Sequence, residues 1–140
     1  MDPQAIVETM MEKDYFSQWL GITVLSIKPG TCRLKLTVRK DMLNGFGIAH
    51  GGISYSLADS ALAFASNSNG VQSLSVETSI SHVESVKEGQ EMFAEANCIT
   101  ENHKLGHYGV RVWTADREKP VALFKGMVYK TSREWSSPAR

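Results

Sequence analysis

The 140-residue sequence is short of the features that mark secreted, membrane-spanning or nucleic-acid-binding proteins. It has two cysteines, Cys32 and Cys98, with no CxxC spacing and no histidine cluster, which favours reduced thiols over a disulfide or a metal site. Fifteen basic residues balance fifteen acidic ones, so neither nucleic acid nor an anionic membrane is expected as a partner. No apolar run is long enough to span a bilayer. The N-terminal segment carries Glu8, Glu12 and Asp14 instead of the basic and apolar regions of a signal peptide, so we expect a cytoplasmic protein.

The order of the periodic patterns predicts an α+β fold, with an antiparallel sheet curled around one central helix. Asp2 as N-cap and Pro3 at the first helical position predict an N-terminal helix that ends near residues 19–21. A second helix, from near Gly52 to Asn67, is apolar or small on nearly every side and is therefore predicted to be buried. Alternation with period two predicts six strands, over residues 22–27, 33–38, 73–83, 91–100, 108–115 and 121–129. We expect one domain over residues 1–131 and a flexible tail over residues 132–140.

One carboxylate stands out within the predicted central helix. Between Asp41 and Glu77 the only side chain with a full charge at neutral pH is Asp59, which lies in an apolar run. Desolvating a lone carboxylate is costly, which suggests a function for it. Just upstream lie Asn44 and the sequence 50–52, His-Gly-Gly, at the start of the helix, where exposed backbone N–H groups can polarise an oxygen. A carboxylate combined with such donors indicates attack on a carbonyl group.

The spacing of these residues predicts a site shared between two chains. Asp59 lies seven residues beyond Gly52, which corresponds to roughly 10 Å along a helix axis. A base or nucleophile and an oxyanion donor that serve one carbonyl must be closer than that. A two-fold dimer with antiparallel central helices would bring Asp59 of one subunit near the Gly51 and Gly52 amides of the other.

The same residues carry a family resemblance. The sequence resembles the hotdog-fold acyl-CoA thioesterases of the phenylacetate-degradation (PaaI-type) group. Asn44 precedes His50-Gly51-Gly52 by six residues, and Asp59 follows the first of these glycines by eight. The similarity continues through Asn67–Gly70, Gly21-Ile22, Lys104–Gly106 and Val121–Gly126, and so spans nearly the whole domain.

The resemblance implies a hotdog fold that pairs into homodimers and often homotetramers, with an acyl-CoA thioester held at the dimer interface. By matching position, Asp59 would be the nucleophile or general base, and the Gly51 amide with the Asn44 side chain would polarise the thioester carbonyl. His50 would support the loop and the leaving thiolate, and Ser75 would orient the attacking water. Residues expected to contact the substrate are Gly52, Phe46, Tyr55 and Lys104. Coenzyme A is part of the substrate, so neither a separate cofactor nor a metal is expected.

The acyl group and two other functions stay open at this point. Phenylacetyl-type aromatic groups and short or medium chains both fit the resemblance. A non-catalytic acyl-CoA-binding protein is one alternative, although such a pocket gains nothing from a desolvated carboxylate. A hotdog enoyl-CoA hydratase or dehydratase is the other, because His50 with Asp59 can imitate its acid–base pair. His82 is interpreted as a packed or rim histidine of a strand.

Overall fold

A six-stranded antiparallel sheet curled around one helix dominates the structure, a computed structural model that describes residues 1–116 and 119–136. Within these ranges the helices are α1 (Pro3–Met11), α2 (Tyr15–Leu20) and α3 (Gly51–Asn67), with a 3₁₀ turn at Lys40–Met42. The strands are β1 (Thr23–Lys28), β2 (Thr31–Thr37), β3 (Val71–His82), β4 (Glu91–Glu101), β5 (Leu105–Thr114) and β6 (Ala122–Glu134). The predicted central helix and the strands on either side of it are therefore confirmed.

The N-terminal segment forms two helices, and the prediction of a single helix up to residues 19–21 is wrong. Asp2 caps α1 as expected, because its carboxylate accepts the N–H of Ala5 at 2.8 Å. A second carboxylate, that of Asp14, accepts the N–H of Ser17 at 2.9 Å and starts a new helix. This local side-chain bond competes with continuation of the first helix, so the chain turns between α1 and α2. Gly21 ends α2 with a φ of 71°, in the left-handed region.

Strand β6 continues five residues beyond its predicted end at Tyr129 and reaches Glu134, which pairs with Val71. The following residue, Trp135, donates its indole N–H to Oδ1 of Asn67 at 2.9 Å. Residues 132–134, expected in the flexible tail, therefore belong to the sheet. Residues 137–140 of that tail lie outside the described residues. Strand β5 begins at Leu105, three residues before its predicted start.

The sheet has the order β1-β2-β4-β5-β6-β3, with every neighbouring pair antiparallel. Helix α3 packs against all six strands, so the core lies between the helix and the inner face of the sheet. The large side chains that are almost fully buried there include Leu57, Leu62, Phe64 and Tyr108. This packing explains why α3 is apolar on most of its surface.

Strand β3 forms one edge of the sheet and is hydrogen-bonded on one side, to β6. Two apolar side chains on this strand, Leu74 and Val76, are 67% and 56% exposed. A long edge strand with exposed apolar side chains can pair with another strand.

Two composition-based expectations can be compared with the structure. Cys32 is buried, Cys98 is partly buried, and both are free thiols, as expected. In the described part of the chain, no helix combines the length and the apolarity needed to cross a membrane.

Candidate active site

The first turn of α3 leaves one backbone donor free where the sequence predicts an oxyanion site. His50 is the N-cap residue, and its Nδ1 accepts the N–H of Gly52 at 2.8 Å. The N–H of Ile53 donates to the carbonyl oxygen of His50 at 2.9 Å. The N–H of Gly51 has no acceptor among the described residues. It is therefore available to a ligand oxygen at the positive end of the helix.

Each of the two glycines at this terminus lies against an imidazole ring, so a larger residue would press on that ring. A Cβ on Gly52 would lie 2.9 Å from Nδ1 of His50, the atom that caps the helix. A Cβ on Gly51 would lie 3.0 Å from Nε2 of His82, at the end of β3. The hydroxyl of Ser54 donates to the Gly51 carbonyl oxygen at 3.1 Å and lies 3.2 Å from Nδ1 of His82. Two histidine rings packed on one helix terminus therefore account for the His-Gly-Gly sequence.

Asn44 turns its amide nitrogen away from the backbone bonds that hold its loop. Its Oδ1 accepts the N–H of Phe46 at 2.9 Å and that of Ile48 at 3.4 Å. Its backbone N–H donates to the Ile48 carbonyl oxygen at 2.8 Å. These bonds fix the side chain and leave Nδ2 without an acceptor in the part of the chain that the structure describes. Asn44 and Gly51 line the same cleft of about 380 Å³.

Asp59 does not line that cleft. It lies eight residues from Gly51 on α3, or about 12 Å along the helix axis. Its carboxylate is half-buried and makes no hydrogen bond or ion pair with residues 1–116 or 119–136. Burial raises the pKa of Asp59 above its usual value, and the negative charge of Asp14 raises it further. A carboxylate in such surroundings is a stronger base than an exposed one.

Comparison with known proteins shows the family. The sequence model of the thioesterase superfamily matches residues 46–121. This chain belongs to the thioesterase superfamily. It is 33% identical over 132 residues to a putative esterase of Archaeoglobus fulgidus, a match that covers 94% of this chain and 85% of the relative. It is 32% identical over 121 residues to the acyl-coenzyme A thioesterase PaaI of Escherichia coli, covering 86% of each chain.

Solved structures agree with this membership. The structure of the E. coli PaaI protein from the phenylacetic acid degradation operon superposes with a TM-score of 0.91 at 30% identity. The superposition covers 94% of this chain and 95% of that one. The hotdog architecture and the enzyme class predicted from the sequence, a thioester hydrolase, are confirmed by these comparisons.

Two of the remaining predicted site residues of this thioesterase lie on surfaces that a second chain can reach. Phe46, at the tip of the loop that Asn44 holds, is 91% exposed. Ser75 is exposed on edge strand β3, opposite Val128 of β6. Neither lines the cleft that contains Asn44 and Gly51.

The side chain of Tyr55 packs against the core and is partly buried. Its hydroxyl is bonded to the hydroxyl of Thr78 on β3, and its ring packs edge-on against Phe124 at a centroid distance of 5.5 Å. The side chain therefore braces α3 against the sheet and does not line the Asn44 cleft. Its role in substrate binding stays a prediction.

The turn between β4 and β5, which contains Lys104, lies at the far end of the sheet from Gly51. Leu105 is aligned with Tyr129 and Tyr129 with Leu74, near the start of β3, whereas Gly51 contacts the end of β3. Within one chain Lys104 therefore cannot share the Asn44 cleft. In residues 1–116 and 119–136 there is no group of three or more His, Cys, Asp or Glu side chains able to hold a metal ion.

Sequence reasoning did not assign His82, Ser54 or Asp14 to the site. One signal for His82 is available in the chain order. Strand β3 follows α3 through a turn at Gly70 and runs back along the helix, so its last residues approach the helix N-terminus. For Asp14 the sequence offers the N-cap pattern, but nothing in it indicates that α2 lies beside Asp59.

Proposed function

We propose that this thioesterase hydrolyses acyl-CoA to a free acid and CoA at a site shared by two copies of the chain. The observation that carries the proposal is that the residues with the free N–H of Gly51 and the free amide nitrogen of Asn44 line one cleft. Two donors directed at one oxygen stabilise the negative charge that develops on a thioester carbonyl when it is attacked. Acyl-CoA as the substrate is supported by the names of the E. coli relative and of a human relative, acyl-coenzyme A thioesterase 13, at 26% identity.

The position of Asp59 supports the sharing of the site. Its backbone lies about 12 Å along α3 from Gly51 of the same chain. The side chain leans toward the N-terminus but covers only part of that distance, so it is too far to act on a carbonyl that Gly51 holds. The free edge of β3 offers a two-fold contact in which Leu74 and Val76 become covered. With antiparallel helices across that contact, the partner's Asp59 approaches the Gly51 amide, and Ser75 lies at the same interface.

A second contact surface supports assembly of two such dimers into a homotetramer. Three large side chains on β4 and β6, namely Ile99, Leu123 and Tyr129, are 69%, 48% and 43% exposed. Covering them against another dimer removes this apolar surface from water. Light scattering coupled to size-exclusion chromatography measures the mass, and a stable monomer would contradict both contacts.

The chemistry follows from the protonation of the groups present. Asp59 either takes a proton from the attacking water or attacks the thioester carbon through its own oxygen. The Gly51 and Asn44 donors hold the oxyanion, and the thiolate leaves without a strong acid. Nδ1 of His50 accepts the N–H of Gly52, so the ring proton is on Nε2. This exposed N–H can donate to the leaving sulfur.

For the acyl group we propose an aromatic or a short to medium chain. Exposed Phe46, five residues before α3, and the partly buried ring of Tyr55, in its second turn, supply aromatic surface near the α3 N-terminus. An aromatic acyl group can stack on such rings. Lys104 reaches the CoA phosphates in this proposal only from the other subunit, because it lies far from the cleft of its own chain.

The test is release of thiol from a panel of acyl-CoA esters, followed with a colorimetric thiol trap. Phenylacetyl-CoA and aliphatic esters of two to ten carbons are compared for the parent and for Asp59→Asn. General-base catalysis contributes about 10²–10⁴-fold, so we expect a loss of that size on the best ester. Asp41→Asn, at an exposed carboxylate that pairs with Arg39 and does not line the Asn44 cleft, is the control and should keep full activity. A folded Asp59→Asn protein that hydrolyses every ester at the parent rate would sink the proposal.

A further inference from the structure

A hydroxyl network links the start of α2 to the turn of α3 that carries Asp59. The Asp14 carboxylate accepts the backbone N–H of Ser17 at 2.9 Å and its hydroxyl at 2.7 Å. The Ser17 hydroxyl oxygen, in a side chain that is almost fully buried, lies 2.8 Å from the hydroxyl oxygen of Ser60. Ser60 is the neighbour of Asp59 in the sequence.

The direction of these bonds can be assigned. An ionised carboxylate only accepts, so the single Ser17 hydroxyl proton goes to Asp14. The Ser17 oxygen is then the acceptor in the second bond, and the Ser60 hydroxyl donates to it. The hydroxyl proton of Ser60, the residue next to Asp59, is therefore bonded to Ser17 and is not donated to Asp59. This agrees with the Asp59 carboxylate having no donor among the described residues.

We propose that Asp14 is a positioning residue for Asp59. Through Ser17 and Ser60 it anchors α2 on α3, and its own carboxylate is thereby kept close enough for its charge to act on Asp59. This inference rests on the proposed role of Asp59 in thioester hydrolysis. It assigns to the N-terminal helix pair a part in setting the strength of the base, in addition to covering the core.

The electrostatics agree with this geometry. Burial is the larger cause of the raised pKa of Asp59, and the charge of Asp14 is the second. From α1, α2 and the strands that pack on α3, no other charged group of the described residues acts on the Asp59 carboxyl. Among residues 1–116 and 119–136, no cation therefore offsets the repulsion between the two carboxylates. As a result Asp59 takes up a proton at a higher pH than an isolated carboxylate would.

The test is the pH dependence of kcat/KM for thiol release by Asp14→Asn. Asparagine caps a helix as well as aspartate does, because its one oxygen can still accept the Ser17 N–H, and it removes the charge. Its NH2 group replaces the oxygen that accepts the Ser17 hydroxyl, so that hydroxyl can donate to Ser60 instead. The acid limb of the profile, where Asp59 becomes protonated, should move to lower pH, while the rate on the plateau stays within about threefold. At the pH where the parent keeps half of its plateau rate, the variant should keep more.

Asp2→Asn is the matched control, because Asp2 is the N-cap of the neighbouring helix α1 and is exposed. Its acid limb should coincide with that of the parent. Asp14→Ser, which also retains a capping oxygen, is the second variant if Asp14→Asn does not fold. An unmoved acid limb in the folded Asp14 variant, or an equal shift in Asp2→Asn, overturns the inference. The two proposals can fail separately. If Asp59→Asn stays active, the proposed function is wrong. If Asp59→Asn is inactive but the acid limb of the Asp14 variant does not move, only the role of Asp14 is wrong.

Discussion

Replacing Asn44 by aspartate tests the oxyanion donor while keeping the loop that carries it. In the structure Oδ1 accepts the N–H groups of Phe46 and Ile48, and an aspartate supplies the same oxygen in the same place. The other terminal atom changes from an N–H donor to an oxygen without a proton. Loss of one donor of this kind costs about 10²–10³ in kcat, or about 2.7–4 kcal/mol. Repulsion between the new carboxylate and the oxyanion adds to this, so we expect kcat/KM to fall by at least about 10²-fold.

The chain offers a matched control for this substitution at Asn102. Its Oδ1 also accepts two backbone N–H groups, those of Lys104 and Leu105, both at 2.8 Å. Asn102→Asp makes the same chemical change in the same kind of turn, but in the β4–β5 turn at the far end of the sheet. That turn also holds Lys104, the proposed contact of the CoA phosphates, so kcat at saturating substrate is the quantity compared. Thiol release and urea unfolding are measured for both variants. We expect similar unfolding midpoints and a loss of activity in Asn44→Asp alone. If the two variants hydrolyse the ester equally fast, Asn44 is not an oxyanion donor.

Two further predictions concern stability. A Cβ on Gly126 would lie 2.6 Å from Cδ2 of Leu62, so Gly126→Ala should lower the free energy of unfolding in urea by about 1–3 kcal/mol. Gly109→Ala, whose Cβ would meet Ile99 at an ordinary 3.4 Å, should lower it less, and equal effects would contradict the packing argument. The pKa of Asp59 is higher in the folded state than in the unfolded chain. The folded protein therefore loses stability as the pH rises through that pKa and Asp59 ionises. Asp59→Asn should melt at a higher temperature than the parent at pH 7, and at the same temperature below about pH 4. A melting difference independent of pH would refute this.

The elements that could be predicted from the sequence are those with a strong local signal. Helix α3 has the His50 cap at one end and Gly70, with a φ of 100°, just beyond the other. The four strands after it alternate in hydrophobicity because one face of each meets the helix. The ends of the strands are harder to predict from the sequence. The extension of β6 depends on pairing with Val71 and on the bond between Trp135 and Asn67, and these contacts join residues far apart in the sequence.

The site residues show the same difference between local bonds and contacts that join distant parts of the chain. The donors at Gly51 and Asn44 are set by bonds within a few residues, so their spacing is visible in the sequence. The contacts of His82 with Gly51, and of Asp14 with the Asp59 region, cross between elements. Asp14 also lies inside the single N-terminal helix that the sequence predicts up to residues 19–21. Its capping bond to Ser17 broke that helix, and local hydrophobic periodicity contains no information about such a bond.

The measurement that tests the shared site most directly is the activity of mixed dimers. Chains with Asp59→Ala and chains with Asn44→Asp are each purified inactive, unfolded together and refolded, and the fraction of mixed dimers is determined by native mass spectrometry. Random pairing makes about half of the dimers mixed, each with one intact site, so about a quarter of the parent activity should return. If mixed dimers form and no thiol release is recovered, Asp59 and Asn44 do not act together across the subunit interface.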